Sequence, residues 1–336
     1  MSQISQRRPI RWGFLGAGGI ATSMAGELQQ GQQGNNVLYA VAARDSERAA
    51  AFAARFGASR SYGGKDGYRK LIEDPDVDVV YVATTHPFHR EQSLMAIEAG
   101  KPVLIEKPLA LNAADAREVL AAARNKGVFS MEAVWMRANP LIIRARRMVA
   151  DGVIGDVVSV HADFSIELGF DPGHRLYDLA NGGGALLDLG IYPMSFAWLF
   201  LGRPDTQQVF GTLSPTGSDA SVAIQWGYPS GASAQLRCAV TAWAPGRATI
   251  VGTAGSISVE PWFVSPERLV VTRNDGDESR MEGEPAGYGP QIEEVERCLR
   301  AGLPESPVFP HAETIAILEL IDQARANLGV RYPAEG

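Results

Sequence analysis

A chain of 336 residues that is 46% hydrophobic and 21% charged carries enough apolar material for two separate cores. Its formal charge is −7, with Lys and Arg scattered along the sequence, which excludes the concentrated basic stretch of a nucleic-acid-binding protein. Two cysteines, Cys238 and Cys298, are too few for a disulfide framework or a four-ligand zinc site, and a reducing cytoplasm is the expected location.

Residues 1–9 read as a short disordered lead. Arg7-Arg8 invites a twin-arginine export reading, but the apolar stretch behind it, Trp12-Gly13-Phe14-Leu15, is too short for an h-region and runs into a glycine-rich turn. No stretch reads as membrane-spanning, so no membrane partner is expected. From residue 10 to 130 strand and helix signals alternate in the βαβ manner. Ile10, Trp12 and Phe14 open the first strand, Gly16-Ala17-Gly18-Gly19 turns the chain, and Ile20, Met24 and Leu28 recur at helical spacing. Further strands are predicted over 37–43, 77–83, 103–105 and 128–131. Helices are predicted up to Phe56 behind Asp45 or Ser46, up to Gly100, and from the cap Asn112 to Lys126.

Residues 131–336 have a different character. Val158, Val160, Ala162 and Phe164 alternate with His161 and Asp163, as one face of an antiparallel strand should. One helix is predicted from about Gly184 to Leu201. Short strands follow over 221–226, 232–242, 248–251, 256–260 and 268–272. Residues 274–288 read as an exposed polar loop, and two helices near 290–301 and 312–327 close the chain. The expected architecture is an α/β dinucleotide-binding (Rossmann) domain, then an α+β domain on a large, mostly antiparallel open sheet.

Several motifs carry chemistry. Gly16-Ala17-Gly18-Gly19-Ile20-Ala21 fits G-x-G-x-x-A between a strand and a helix, the context the dinucleotide fingerprint requires; elsewhere the same residues would be a plain turn. Gly16 suits the tight turn, Gly18 and Gly19 a close backbone approach to the pyrophosphate, and Ile20 and Ala21 the start of the helix. At the end of the second strand, an acidic residue would bind the ribose of NAD. Here Arg44 stands there with Arg48 a helical turn on, which favours NADP(H), with NAD(H) possible. Asp45 either caps the helix or turns toward a ribose. Thr84, His86 and His89 follow the third strand and read as cofactor-facing loop residues, the plainer alternative being solvated loop histidines; no metal motif accompanies them. Glu106-Lys107-Pro108 follows the buried run Val103-Leu104-Ile105, at the strand end where open α/β sheets bind ligands. A lysine there can polarise an oxygen or move a proton beside a cofactor. In the second domain Asp188 and Tyr192 are four apart and are expected on one helix face, with Gly190 hinting at a close neighbour. The plain reading is a capping-region Asp and an interfacial Tyr. Trp135, Phe164, Tyr177, Trp262 and Phe263 are candidates for an aromatic wall, although most large aromatics are simply core.

Together the fingerprint, Glu106-Lys107-Pro108, and Gly182-Gly183-Gly184 leading to Asp188 and Tyr192 resemble the Gfo/Idh/MocA oxidoreductases, over nearly the whole chain. Met131 to Arg137, Thr85-His86-Pro87 with His89, and Gly302 to Pro310 resemble the dihydrodiol dehydrogenase and NADP-dependent xylose dehydrogenase branch. Many members, such as inositol dehydrogenases, carry histidine where this chain has Tyr192; glucose–fructose enzymes share the tyrosine, but their export signal is not read here. The resemblance implies that Lys107 contacts nicotinamide and substrate hydroxyl, with Glu106 beside it. It further implies Tyr192 as acid/base with Asp188 next to it, and a homodimer or dimer of dimers built on the larger sheet.

The expected activity is reversible hydride transfer between NADP(H) and a carbinol or carbonyl carbon of a sugar, cyclic polyol or trans-dihydrodiol. A non-catalytic dinucleotide sensor on the same fold is the rival from another class, and needs neither Lys107 nor Tyr192. Reduction of an aromatic or enone C=C bond would keep the site and change the substrate.

Overall fold

The computed structural model describes residues 8–30 and 35–335. Of the expected lead, residues 1–7 lie outside these. Arg8 does not fit a disordered lead, because its guanidinium makes two bonds, of 2.6 and 2.8 Å, to the Asp78 carboxylate. The chain forms two compact units. One comprises residues up to Val134 together with Gly287–Ile315, and the other Trp135–Ala286 with Ala316 onward. The linear reading assigned 287–315 to the second domain; the packing assigns it to the first.

In the first unit β1 (Ile10–Leu15), α1 (Gly19–Gln30), β2 (Asn36–Ala43), α2 (Ser46–Phe56), β3 (Arg60–Gly63), α3 (Gly67–Glu73), β4 (Val79–Val82), α4 (His89–Glu98), β5 (Val103–Glu106), α5 (Ala113–Lys126) and β6 (Ser130–Ala133) alternate. The six strands are all parallel, in the order β3-β2-β1-β4-β5-β6. Such strands are covered on both faces, which is why Val79–Val82 and Val103–Glu106 are buried at every position. The order reverses between β1 and β4, so the carboxyl ends of these two neighbours face a crevice at the switch point. Helix ends are set by local chemistry. Asp45 accepts from the Arg48 N–H and Asn112 from the Asp115 N–H at the starts of α2 and α5, and left-handed Gly57 and Gly127 end them.

The second unit opens with α6 (Pro140–Ala150), then β7 (Val157–Ser165), α7 (Ile191–Leu201), β8 (Thr206–Leu213), β9 (Asp219–Gly227), β10 (Ser233–Ala239), β11 (Ala248–Gly252), β12 (Gly255–Glu260), β13 (Arg268–Arg273) and β14 (Glu278–Glu282). The sheet order is β14-β13-β12-β11-β7-β10-β9-β8. Every neighbouring pair is antiparallel except β7 with β10, so the strand read as antiparallel is antiparallel to β11 and parallel to β10. Val160, Ala162 and Phe164 of β7 are buried as the alternation predicts, while Val158 at the strand's start is exposed. α7 packs against β7 and β10.

Three expectations are corrected here. The polar stretch 274–288 contains the edge strand β14, whose alternating charged residues keep it solvated while its backbone pairs with β13. The single helix over 184–201 is a π turn, Leu186–Gly190, followed by α7. The run Leu179–Leu201 is long and apolar enough to cross a membrane by length and composition, contrary to the sequence reading; its most apolar window is 78% buried inside the unit, as befits a core helix. Finally α8 (Gly289–Ala301) returns to the first unit, and α9 (His311–Leu328) begins in it. There Asn36 Nδ2 donates to Glu296, and the buried Glu132 accepts from the Leu109 N–H at 2.8 Å and from the Thr314 hydroxyl at 2.9 Å.

Glu132 thus ties the loop after Lys107 to the start of α9. Glu132→Ala would leave two buried donors without these acceptors, and is expected to lower unfolding free energy by about 2–4 kcal/mol in urea titrations.

Candidate active site

The dinucleotide turn is set by sterics at the end of β1. Gly16 has φ +110, and a Cβ there would stand 2.6 Å from the Ala83 carbonyl oxygen at the end of β4, so glycine is required. Gly18 and Gly19 are different: a Cβ on either would meet nothing within 4 Å. The space a pyrophosphate needs is therefore open at the amino end of the twelve-residue α1, where backbone N–H groups and the helix dipole favour an anion. Ile20 and Ala21 form the first turn of α1, with Ala21 buried against the sheet side. These residues fit a dinucleotide.

At the end of β2, Arg44 and Arg48 are both exposed. The Arg48 Nε donates to the Ala17 carbonyl at 3.1 Å, which brings its guanidinium to the glycine turn; the Arg44 guanidinium lies 5.8 Å from the Phe88 ring centroid. Asp45 is the cap of α2, the first of its two readings.

The loop after β4 is tied to the loop after β5 by one ring. His89 is fully buried, with Nδ1 2.8 Å from the Pro108 carbonyl oxygen and Nε2 3.0 Å from that of Thr84. Burial pushes its pKa down, and a neutral ring has one N–H to donate between those two acceptors. His86 is buried and stacks edge-on against His89. The histidines read as cofactor-facing therefore include one that braces backbone. The Thr84 hydroxyl donates to Gln92 at 2.8 Å.

Lys107 is half-buried, and the backbone on either side of it is pinned. Glu106 accepts from the Tyr81 hydroxyl at 2.5 Å and from the Lys107 N–H at 3.1 Å, Pro108 meets His89, and the Leu109 N–H reaches Glu132. The Lys107–Pro108 peptide is cis. Glu106 is thus placed as a brace of this loop.

In the second unit Tyr192 lies in the first turn of α7. Its hydroxyl oxygen accepts from Trp135 Nε1–H at 2.8 Å, and its ring meets Phe164 edge-on at 5.4 Å. Phe164 in turn meets Trp262 at 5.6 Å and Phe263 at 6.2 Å. Trp262 is 47% exposed and has φ +38, uncommon for a non-glycine residue; a Cβ on Gly246 would stand 2.8 Å from its ring. Trp135, Phe164, Trp262 and Tyr192 are therefore brought together. Tyr177 is not part of these contacts: its hydroxyl donates to Leu168 O at 2.7 Å and its ring packs on Phe170.

Asp188 sits within the π turn, so the four-residue spacing to Tyr192 does not have α-helical geometry. It receives a two-pronged contact from Arg175, at 3.1 and 3.0 Å. Sequence reasoning missed Arg175, which carries no local signal thirteen residues away in an irregular segment. The close neighbour hinted at by Gly190 is Cys238, whose Sγ would lie 3.0 Å from a Cβ there.

A six-stranded parallel sheet with a glycine turn at its switch point has the architecture of a dinucleotide-binding unit, and the second unit is built on an open mixed sheet. Comparison with known proteins gives the family. Residues 10–133 match the model of an oxidoreductase family with an NAD-binding Rossmann fold, and residues 142–258 match the GFO/IDH/MocA C-terminal domain. The chain is 36% identical over 340 residues to the trans-1,2-dihydrobenzene-1,2-diol dehydrogenase of Mus musculus, covering 97% of this chain and 99% of that one, and 34% identical to its Homo sapiens counterpart over the same shares. Among solved structures it is similar to a 3-ketoreductase from Actinomadura kijaniata in complex with NADP, with TM-score 0.82, 27% identity, and 95% and 98% of the two chains covered. An aldose–aldose oxidoreductase from Caulobacter crescentus gives TM-score 0.85 at 25% identity over the same shares. The chain belongs to the Gfo/Idh/MocA family of oxidoreductases.

Gly16→Ala puts a methyl group against the Ala83 carbonyl and is expected to weaken nicotinamide dinucleotide binding at least about tenfold, read by quenching of protein fluorescence. Gly19→Ala meets no protein atom, so any loss it causes measures crowding of the ligand.

Proposed function

We propose that this chain is an NADP(H)-dependent dehydrogenase/reductase acting on a secondary hydroxyl or its ketone, with a trans-dihydrodiol, sugar or cyclic polyol as substrate. The observation that carries the reading is the Trp135–Tyr192 hydrogen bond beside an aromatic wall. Trp135 spends its N–H on the phenolic oxygen. An N–H aimed at that oxygen holds charge that develops on it when the proton leaves. Phe164 and the half-exposed Trp262 offer flat apolar surface suited to a ring. Bound nicotinamide supplies the hydride acceptor or donor at the substrate carbon. In reduction Tyr192 gives its phenolic proton to the carbonyl oxygen as hydride arrives; in oxidation Tyr192, as the phenolate, takes the proton of the substrate hydroxyl as hydride leaves. Lys107 polarises that same oxygen, which the braced Glu106–Leu109 backbone supports by fixing where the lysine starts. Asp188, held by Arg175, is assigned to positioning beside Tyr192.

Preference for the 2′-phosphate rests on Arg44 and Arg48, both exposed at the β2 end, and on Asp45 being committed to its helix. The dihydrodiol dehydrogenase relatives and the NADP-bound ketoreductase support the substrate class and the cofactor. A homodimer on the solvent face of the larger sheet is supported by Phe210, 70% exposed there among His161, Gln225, Gln235 and Arg237. Two buried free thiols suit a reducing cytoplasm.

Initial rates with NADP and NAD over trans-dihydrodiols, aldoses and cyclic polyols test the reading. Lys107→Met and Tyr192→Phe are expected to cut kcat by about 100-fold or more with NADPH affinity within about twofold. Silence across the panel with tight NADPH binding would favour the sensor, and reduction of alkenes without alcohol turnover would favour C=C chemistry. Arg44→Ala with Arg48→Ala should raise KM for NADP by about 10- to 100-fold and leave KM for NAD unchanged. Phe210→Glu should shift sedimentation toward monomer.

A further inference from the structure

A buried carboxylate lies behind the π turn that carries Asp188. Asp219, at the start of β9, has no solvent exposure, and its Oδ2 accepts the N–H of Leu186, the first residue of the turn, at 2.5 Å. Its Oδ1 occupies the place a Cβ on Gly184 would need, and Gly184 itself has φ +133. At the other end of the turn, Gly190 lies against Cys238 of β10. The turn is thus held at both ends by neighbouring strands of the same sheet.

The first N–H groups of a helical segment have no acceptor within it, and its amino end favours negative charge. An ordinary cap comes from the residue just before the helix. Here the preceding residues are Gly182, Gly183, Gly184 and Ala185, none with an acceptor side chain, and the acceptor is supplied from more than thirty positions on. Such a cap fixes the turn relative to the sheet as well as closing it. The consequence reaches two side chains. Asp188 meets Arg175, and Tyr192 meets Trp135 and Phe164, all of them outside the turn. Rotating the turn breaks both sets of contacts together.

We propose that Asp219 is a positioning residue for the reaction: its carboxylate anchors the amino end of the Leu186–Gly190 turn to the sheet and so sets where Asp188 and Tyr192 stand. This rests on the acid/base reading of Tyr192. The groups facing Asp219 are Arg325 of α9, Cys238 of β10 and Tyr332. Burial pushes its carboxyl up to about 6, against the lowering effect of backbone N–H groups of Leu186, Asp219 and Ala185 and of Arg325. A raised carboxyl contributes stability below its unfolded value that is lost as pH rises through the folded one. Above about pH 6 the charge therefore costs stability while serving as the anchor.

The test compares Asp219→Asn, Gly184→Ala and Tyr192→Phe in the full chain, with trans-1,2-dihydrobenzene-1,2-diol and NADP as probes. Gly184→Ala is the second route to the same anchor, because its methyl group displaces the carboxylate without removing the charge. Both anchor variants are expected to lower kcat by about 10- to 100-fold, with NADPH affinity within about twofold and Tm of Asp219→Asn no lower than wild type at about pH 8. Amide hydrogen exchange over residues 185–190 should quicken at least about tenfold in both variants, a readout independent of turnover. Unchanged exchange and kcat would overturn the proposal. So would parallel loss of Tm, NADPH binding and kcat, which would make Asp219 a stability residue alone. Full activity in Tyr192→Phe would sink the acid/base reading, while exchange at 185–190 would still decide the anchor.

Discussion

The closeness of two neighbouring parallel strands governs the first unit. The chain leaves β1 so near the end of β4 that a single methyl group at Gly16 would strike the Ala83 carbonyl. This turn opens α1 with its N–H groups facing the crevice, and the same reversal of strand order puts the loops bearing Thr84 and Lys107 at that crevice's edge. That spacing gives a dinucleotide a turn without side chains and a helix start, and the sequence adds two arginines where β2 ends.

The two units hold their functional side chains by different means. In the first, the loops are braced through backbone groups: His89 joins two carbonyl groups, and Glu106 and Glu132 receive N–H groups on either side of Lys107. In the second, rings and charges do the holding, through Trp135 and Phe164 at Tyr192 and Arg175 at Asp188. Buried polar braces of this sort fix geometry because each loses a partner if the loop moves, and an unpaired buried group is costly. Asp219 belongs to the same pattern, with a charge placed where packing alone would leave an apolar residue.

Much of this was legible in the residues. The Gly16 turn between a β-strand and a helix, the buried run before Glu106-Lys107-Pro108, and the alternation in Val160, Ala162 and Phe164 each have a local physical cause that the chain states openly. Elements with weak local signals were not legible. β3 and α3 are short, and the edge strands β8 and β14 are largely exposed, so none of them shows a buried face as a period in the sequence. The π turn was read as α-helix because an inserted residue leaves no mark on composition.

By itself the sequence determined the βαβ order, the glycine turn, the lysine at the end of β5 and the tyrosine in the apolar helix, because strand, turn and helix preferences act over a few residues. Only the tertiary structure decided that segment 287–315 packs with the first unit, that Arg175 grips Asp188, that Trp135 bonds Tyr192, and that Asp219 anchors the turn from another strand. Those pairings join residues whose separation along the chain carries no periodic signal, and burial and hydrogen-bond satisfaction select them once the sheets have formed.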